Sequence, residues 1–236
     1  MAINVNTVYK TVLLILNQQQ RGYMTPDEFN KVATQVQLDI FESYFESLNQ
    51  QYRVPQNDTE YADRVKNIQQ KLQFFQRQTV SLYSPLDNAF PVIVPPGEVL
   101  YRLGSVFYKG KELTQYSQRN ELTQILLSPL TQPTEHFPIY LYENDVLEVY
   151  PQSIQSDISF SYLKKPSDVV WQYGVGSLGQ FEYQAPPAST AFELAPSEQT
   201  NIIMRILAYA GVIINDPTII QVAQQEIAAE QQNAKQ

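Results

Sequence analysis

Cysteine is absent from the 236 residues, and that absence removes disulfides, thiolate catalysis and every cysteine-based zinc site. Histidine is nearly absent. His136 is the only one, and a lone imidazole cannot supply the usual metal-ligand set. Cations are scarce as well: Lys and Arg total 16 against 24 Asp and Glu, a formal charge of -8. The densest basic spots, "YLKKP" and "YKGK", are short and read as solvated loop ends. A general grip on DNA needs clustered Lys and Arg to displace counterions, so that function is excluded. An acidic wall along which DNA merely passes is compatible with the same composition. Long apolar runs are missing too. Ile202 to Ile214 is interrupted by Arg205 and falls short of the roughly 20 residues that cross a bilayer, so no membrane partner is expected. The opening "MAINVNTVYKTVLLILNQQQ" lacks a basic start and a small-residue cleavage site, and no signal peptide is expected there.

What is present is globular material, with 43% hydrophobic and only 17% charged residues. Gln and Asn replace much of the usual surface charge, which suits contact with protein as well as with water. Sixteen Tyr and eleven Phe serve a half-buried interface and a β-rich core equally well.

The period of the apolar residues changes along the chain and predicts an α+β fold. Residues 1–78 read as helices. Val5, Val8, Val12, Leu13, Ile15 and Leu16 make the first face, with Gly22 as C-cap. Thr25, Pro26 and Glu28 have the spacing of a capping box. Behind them Phe29, Val32, Ala33, Val36, Ile40, Tyr44 and Leu48 recur at helical intervals. A third helix is predicted from Thr59 to about Gln76, with a seam of Tyr61, Val65, Ile68, Leu72 and Phe75. Residues 79–165 hold short runs rich in Val, Ile and Tyr, broken by Pro, Gly and Asn. They predict an antiparallel β domain, sandwich or barrel, with a hairpin turning at Glu143-Asn144-Asp145. Residues 166–196 form a Gly- and Pro-marked hairpin and linker. Residues 197–236 return to helix, packing with the N-terminal helices: Ser197 as cap, then a face of Ile202, Ile203, Ile206, Leu207, Ala210 and Ile214. Gly211 there points to a close backbone contact. Asp216-Pro217 starts a last helix bearing Ile219, Ile220, Val222, Ala223 and Ile227, a docking arm or a peripheral helix.

The motif that most invites a chemical reading is "WQYGVGSLGQFEY". Gly174, Gly176 and Gly179 match the G-x-G-x-x-G of dinucleotide sites. That fingerprint works only when a helix opens after the glycines and aims its N-terminus at the pyrophosphate. Here "QFEYQAPPAST" follows, a strand-like alternation running into Pro186 and Pro187. The glycines are expected to be a hairpin tip, and no cofactor is expected. His136 lies beside Glu135 with no G-x-S-x-G elbow to accompany it. Asp58, Glu60 and Asp63 lack the glycine and closing Glu of an EF-hand, and acidic residues at a helix start offset its dipole. "PLDNAF" and "ENDV" are turn chemistry. No nucleophile, base and oxyanion set assembles, so the chain is not expected to be an enzyme.

Four segments carry a family resemblance: "RGYMTPDEFN", "QLDIFESYFESLNQ", "PTEHFPIYLYENDVLEVYPQSIQSDISFSYLKKP" and "ILAYAGVIIND". The chain resembles tailed-phage virion proteins of crAss-like and related short-tailed phages, the head–tail connector or adaptor-ring family, over residues 4 to about 230. The resemblance implies a virion protein at the head–tail vertex, present in the host cytoplasm during assembly. It implies a homo-oligomeric, dodecameric ring between the portal protein and the next tail ring, with DNA passing through without sequence-specific binding. The docking arm would meet the portal through Ile219, Ile220, Val222 and Ile227. Two other classes remain: a phage accessory enzyme or nucleotide-binding protein using His136 or the glycines, and an internal scaffold or cargo protein.

Overall fold

Side chains folded back onto the backbone start the first two helices. The Asn4 Oδ1 accepts from the N–H groups of Asn6 and Thr7, at 2.8 and 3.4 Å, and so caps α1 (Val5–Gln18). At α2 (Pro26–Arg53) the capping box forms as its spacing predicts. Thr25 N–H donates to Glu28 Oε2 at 2.9 Å and Glu28 N–H donates to Thr25 Oγ1 at 3.4 Å. The structure is a computed structural model and describes residues 2–18, 23–53, 59–116 and 118–214, with Gln221, Gln225 and Ala228 beyond.

The chain is α+β. It divides into two units, one of residues 1–74 and 166–236, the other of 75–165. The first unit holds α1, α2, α3 (Thr59–Gln73), the hairpin β9 (Tyr173–Val175) and β10 (Phe181–Tyr183), a 3-10 turn Pro196–Glu198, and α5 (Gln199–Ile214). On α1 the buried stripe is Val5, Val8, Tyr9, Val12 and Leu16. Tyr9 replaces the expected Leu13 and Ile15, because intervals of three and four residues fix the face whatever the hydrophobicity of its neighbours. Ile15 is 37% exposed. Phe29, Ala33, Val36, Ile40, Phe41 and Tyr44 form the buried face of α2, and Ile202, Ile206, Leu207 and Ala210 that of α5. α2 packs on α3 and on α5, which also meets α1. Ser197 is no cap. Pro196 opens the 3-10 turn one residue earlier, with Ala195 at the N-cap position and no side-chain bond there. Side-chain surroundings of Tyr61, Val65 and Leu48, like Gly22, fall outside the described residues.

The second unit stacks two sheets. β1 (Gln76–Ser81), β8 (Ile158–Lys164), β3 (Leu100–Tyr108) and β4 (Lys111–Glu112) form one, in that order. β2 (Phe90–Pro91), β7 (Val146–Tyr150), β6 (Ile139–Glu143) and β5 (Thr114–Tyr116) form the other. Their facing side chains share a single core of Phe90, Val106, Tyr140, Leu147, Val149, Ile158, Phe160 and Tyr162, so this is an open sandwich rather than a closed barrel. The first sheet starts at Gln76, which pairs with Leu163; the helix expected to reach that residue stops at Gln73. The β6–β7 turn is Asn144-Asp145, with φ of 50° and 60°, the left-handed pair that a two-residue hairpin requires.

The unit departs from an all-antiparallel domain in one place. β5 and β6 are parallel, and parallel neighbours need a crossover. α4 (Arg119–Leu127) supplies it. Leu122 packs on Ile139 and Leu141, with Ile125, Leu126 and Tyr150 around them. Arg119 Nη2 ties the helix start to Glu143 and Glu148, each at 2.7 Å. With a helix on one side and the sandwich core on the other, Ile139, Tyr140 and Leu141 are all buried, and the alternation of a one-sided strand is lost.

Candidate functional site: an aromatic socket

A polar stripe on α2 builds the site. Asn30, Thr34 and Gln37 occupy successive turns beside the apolar face, and each bonds the backbone of an extended segment that runs antiparallel to the helix. Asn30 Oδ1 accepts from Trp171 N–H at 2.7 Å and its Nδ2 donates to Trp171 O at 3.3 Å. Thr34 Oγ1 accepts from Val169 N–H at 3.0 Å, and Gln37 Nε2 donates to Ser167 O at 2.8 Å. The match is geometric. Two residues of strand advance about 6.6 Å and one helical turn about 5.4 Å, so every second strand residue meets one turn of α2. Buried backbone groups that no sheet partners are satisfied in this way.

The ladder delivers Trp171, only 3% exposed, to the start of the glycine hairpin. Its Nε1–H donates to Asn6 Oδ1 at 3.2 Å. Its ring lies 4.5 Å from that of Tyr9 and stacks with Tyr173 and Tyr183 at 5.8 and 5.9 Å. Tyr9 in turn packs 4.8 Å from Phe29 and donates through its hydroxyl to Met24 O at 3.1 Å. Burial, then hydrogen bonding with Tyr23, pushes the Tyr9 phenol far above its usual range, so it acts as a neutral donor.

In front of this cluster lies an open cavity of about 410 Å³, lined by Tyr9, Lys10, Leu13, Tyr23, Trp171 and the hairpin residues Gly179, Gln180 and Phe181. Tyr23 and Phe181 keep 52% and 41% of their surface exposed. Among the described residues none forms an ion pair with the Lys10 ammonium. The lining is thus aromatic and apolar with one cation at its edge. Its hydroxyls are the phenols of Tyr9 and Tyr23, the first engaged with Met24 O, and the arrangement suits an apolar side chain next to an anion.

The glycines shape the hairpin. Gly176 N–H donates to Gln180 O at 2.8 Å and Gly179 N–H to Gly176 O at 2.9 Å. Gly179 has a φ of +79°, which L side chains adopt only with strain. β10, not a helix, follows the glycines, so the helix N-terminus that the phosphate-binding motif requires does not open there. His136 lies elsewhere, exposed in the second unit. Asp58, and the side chains of Glu60 and Asp63, are outside the described residues, as are Ile219, Ile220, Val222 and Ile227. Among the described residues no group of three or more His, Asp and Glu is placed to hold a metal ion, and no helix is long and apolar enough to cross a membrane. The α2 stripe escaped the sequence reading. Its signal was there: Asn30, Thr34 and Gln37 flank Phe29, Ala33 and Val36 at the same helical intervals, polar residues where solvent should not reach.

No protein-family model matches the chain, and no curated protein matches it.

Proposed function

We propose that the chain is a structural protein of a tailed-phage particle, a connector ring between the portal and the tail that leaves a channel for DNA. The observation carrying this reading is the apolar surface left open to solvent. Leu86 and Leu130 are each 96% exposed, Leu178 90% and Phe137 80%, and the aromatic socket stands open. Each of these side chains gains free energy when a partner covers it, and aromatic surface of the kind that lines the socket is enriched where proteins meet. The weak charge of the Gln- and Tyr-rich composition supports the same reading. Electron microscopy of the purified chain, alone and mixed with its portal, tests it. Closed rings or a collar on the portal are expected, and a chain that stays monomeric in both samples would defeat the reading.

The docking arm gives a second measurement. Deleting residues 217–236 is expected to leave a folded chain with a cooperative unfolding transition and to abolish co-sedimentation with portal. Retained binding would move the portal contact away from Ile219, Ile220, Val222 and Ile227.

A further inference from the structure

The socket and the exposed leucines belong to one question, because each is a half-contact. Of the exposed apolar side chains, Leu86 is presented in the most defined way. It sits at the tip of the loop 84–89, whose ends close on each other: Ser84 N–H donates to Ala89 O at 2.8 Å and Ala89 N–H back to Ser84 O at 3.4 Å. Inside the loop Ser84 Oγ donates to Asp87 Oδ2 at 3.0 Å. The Tyr83 hydroxyl bonds Asn88 Oδ1, and Asn88 takes a φ of 52°. The leucine is therefore held out by a loop that is already ordered, which lowers the entropy cost of any contact it makes. Asp87 adjoins it, and among the described residues that carboxylate forms no ion pair. Leu130 and Phe137 project on loops too, but in place of a reciprocal pair their turns show one backbone bond each among the described residues, Thr131 N–H to Ser128 O at 3.2 Å and Phe137 N–H to Thr134 O at 3.0 Å.

The socket is the complement of that loop. It offers an aromatic, apolar floor for a side chain and the Lys10 ammonium for an adjacent anion. We propose that the Leu86–Asp87 loop of one copy plugs the Trp171 socket of the next, with Leu86 against Leu13 and Phe181 and Asp87 beside Lys10. This rests on the reading of the chain as a self-assembling part, and it names the contact. Loop and socket are different surfaces, so the contact is head-to-tail. Every copy offers a plug and a socket, and repetition closes into a ring or runs on as a filament. Short-range attraction between Asp87 and Lys10 also fixes the register of copies whose net charge of -8 would otherwise hold them apart.

The chain lacks cysteine, which makes the test clean. One chain carrying Leu86→Cys and another carrying Leu13→Cys are mixed and oxidised. The expected product is a disulfide-linked heterodimer on a non-reducing gel, with little dimer from either chain alone. In sedimentation velocity Leu86→Asp is expected to weaken self-association about 10- to 100-fold, the loss of one buried leucine contact. Asp87→Lys and Lys10→Glu should each weaken it about 3- to 10-fold and together restore it. Lys10, Leu86 and Asp87 are exposed, so circular dichroism should show these variants folded. Oligomers that assemble normally with Leu86→Asp and give no heterodisulfide would overturn the plug while leaving the connector reading in place. A wild-type chain that never self-associates, alone or on portal, would overturn both.

Discussion

Trp171→Ala is expected to destabilise the helical unit by about 3–5 kcal/mol, the range for removing a large buried aromatic. The value should lie toward the upper end. The indole is 3% exposed and shares ring contacts with Tyr9, Tyr173 and Tyr183, so truncation leaves a void that three other rings border. The Asn6 carbonyl that accepts its Nε1–H loses its partner as well. Against a typical domain stability of roughly 5–15 kcal/mol, that is a large fraction. Trp171→Phe separates the contributions. It keeps most of the stacking and loses the hydrogen bond, and should cost about 1–2 kcal/mol. Urea unfolding followed by circular dichroism measures both. Equal losses for Ala and Phe would mean that the indole N–H, not ring packing, holds the socket floor. Trp171 is the chain's only tryptophan, so its fluorescence also reports on the socket: plugging should alter the emission of the wild type, and Leu86→Asp should abolish that change.

The parts of this molecule written in local sequence were the legible ones. Thr25 and Glu28 are three residues apart, and a capping box needs nothing beyond that spacing. The helix faces, the Asn144-Asp145 turn and the glycine hairpin are likewise set within a few residues. Tyr9 was missed because hydrophobicity ranks Ile15 above it, while the angle around the helix does not. α4 was missed because nine residues inside a strand-rich region carry little periodic signal, and because Ile139 to Leu141 read as a strand whether or not a helix covers it. The socket lay furthest from view. The bonds from Asn30 to Trp171 join residues 141 apart, and Gln37 reaches Glu193 N–H across 156. Nothing in "WQYGVGSLGQFEY" announces that Tyr9 and Tyr23 will stand in front of it. Long-range convergence of this kind comes from the packing of whole helices, and single-sequence periodicity does not encode it.

Lys71→Met is expected to cost about 3 kcal/mol and to reverse the acid dependence of stability. Glu198 is buried at the end of the 3-10 turn that leads into α5, and its Oε1 takes a 2.6 Å ion pair from Lys71 Nζ; the two side chains are 9% and 34% exposed. Asn201 Nδ2 donates to the other oxygen at 3.1 Å, and the Tyr44 ring lies 5.4 Å below the ammonium. Burial by itself would raise the Glu198 pKa. The Lys71 bond and charge, with Asn201, outweigh it and hold the carboxyl below its ordinary range. A carboxylate with a depressed folded pKa stabilises the fold above its unfolded value, about 4.3, and loses that contribution as pH falls through the folded value. The advantage of wild type over Glu198→Gln should therefore hold steady from pH 7 to 5 and shrink below about pH 4. Once Lys71 is removed, burial, the largest single influence, is opposed only by hydrogen bonds, chiefly from Asn201, and the folded pKa is expected to rise past the unfolded one. The charged carboxylate is then a liability at neutral pH, at the lower edge of the cost of breaking a buried pair because a third of Lys71 reaches water. Acid relieves it, so Lys71→Met should recover relative to wild type as pH falls from 7 toward 4. Urea unfolding at stepped pH reads both slopes, and parallel curves for wild type and Lys71→Met would show that the pair contributes packing rather than charge. Lys71→Met combined with Glu198→Leu should regain most of the loss at pH 7, because a buried pair exchanged for apolar side chains of similar volume is close to neutral.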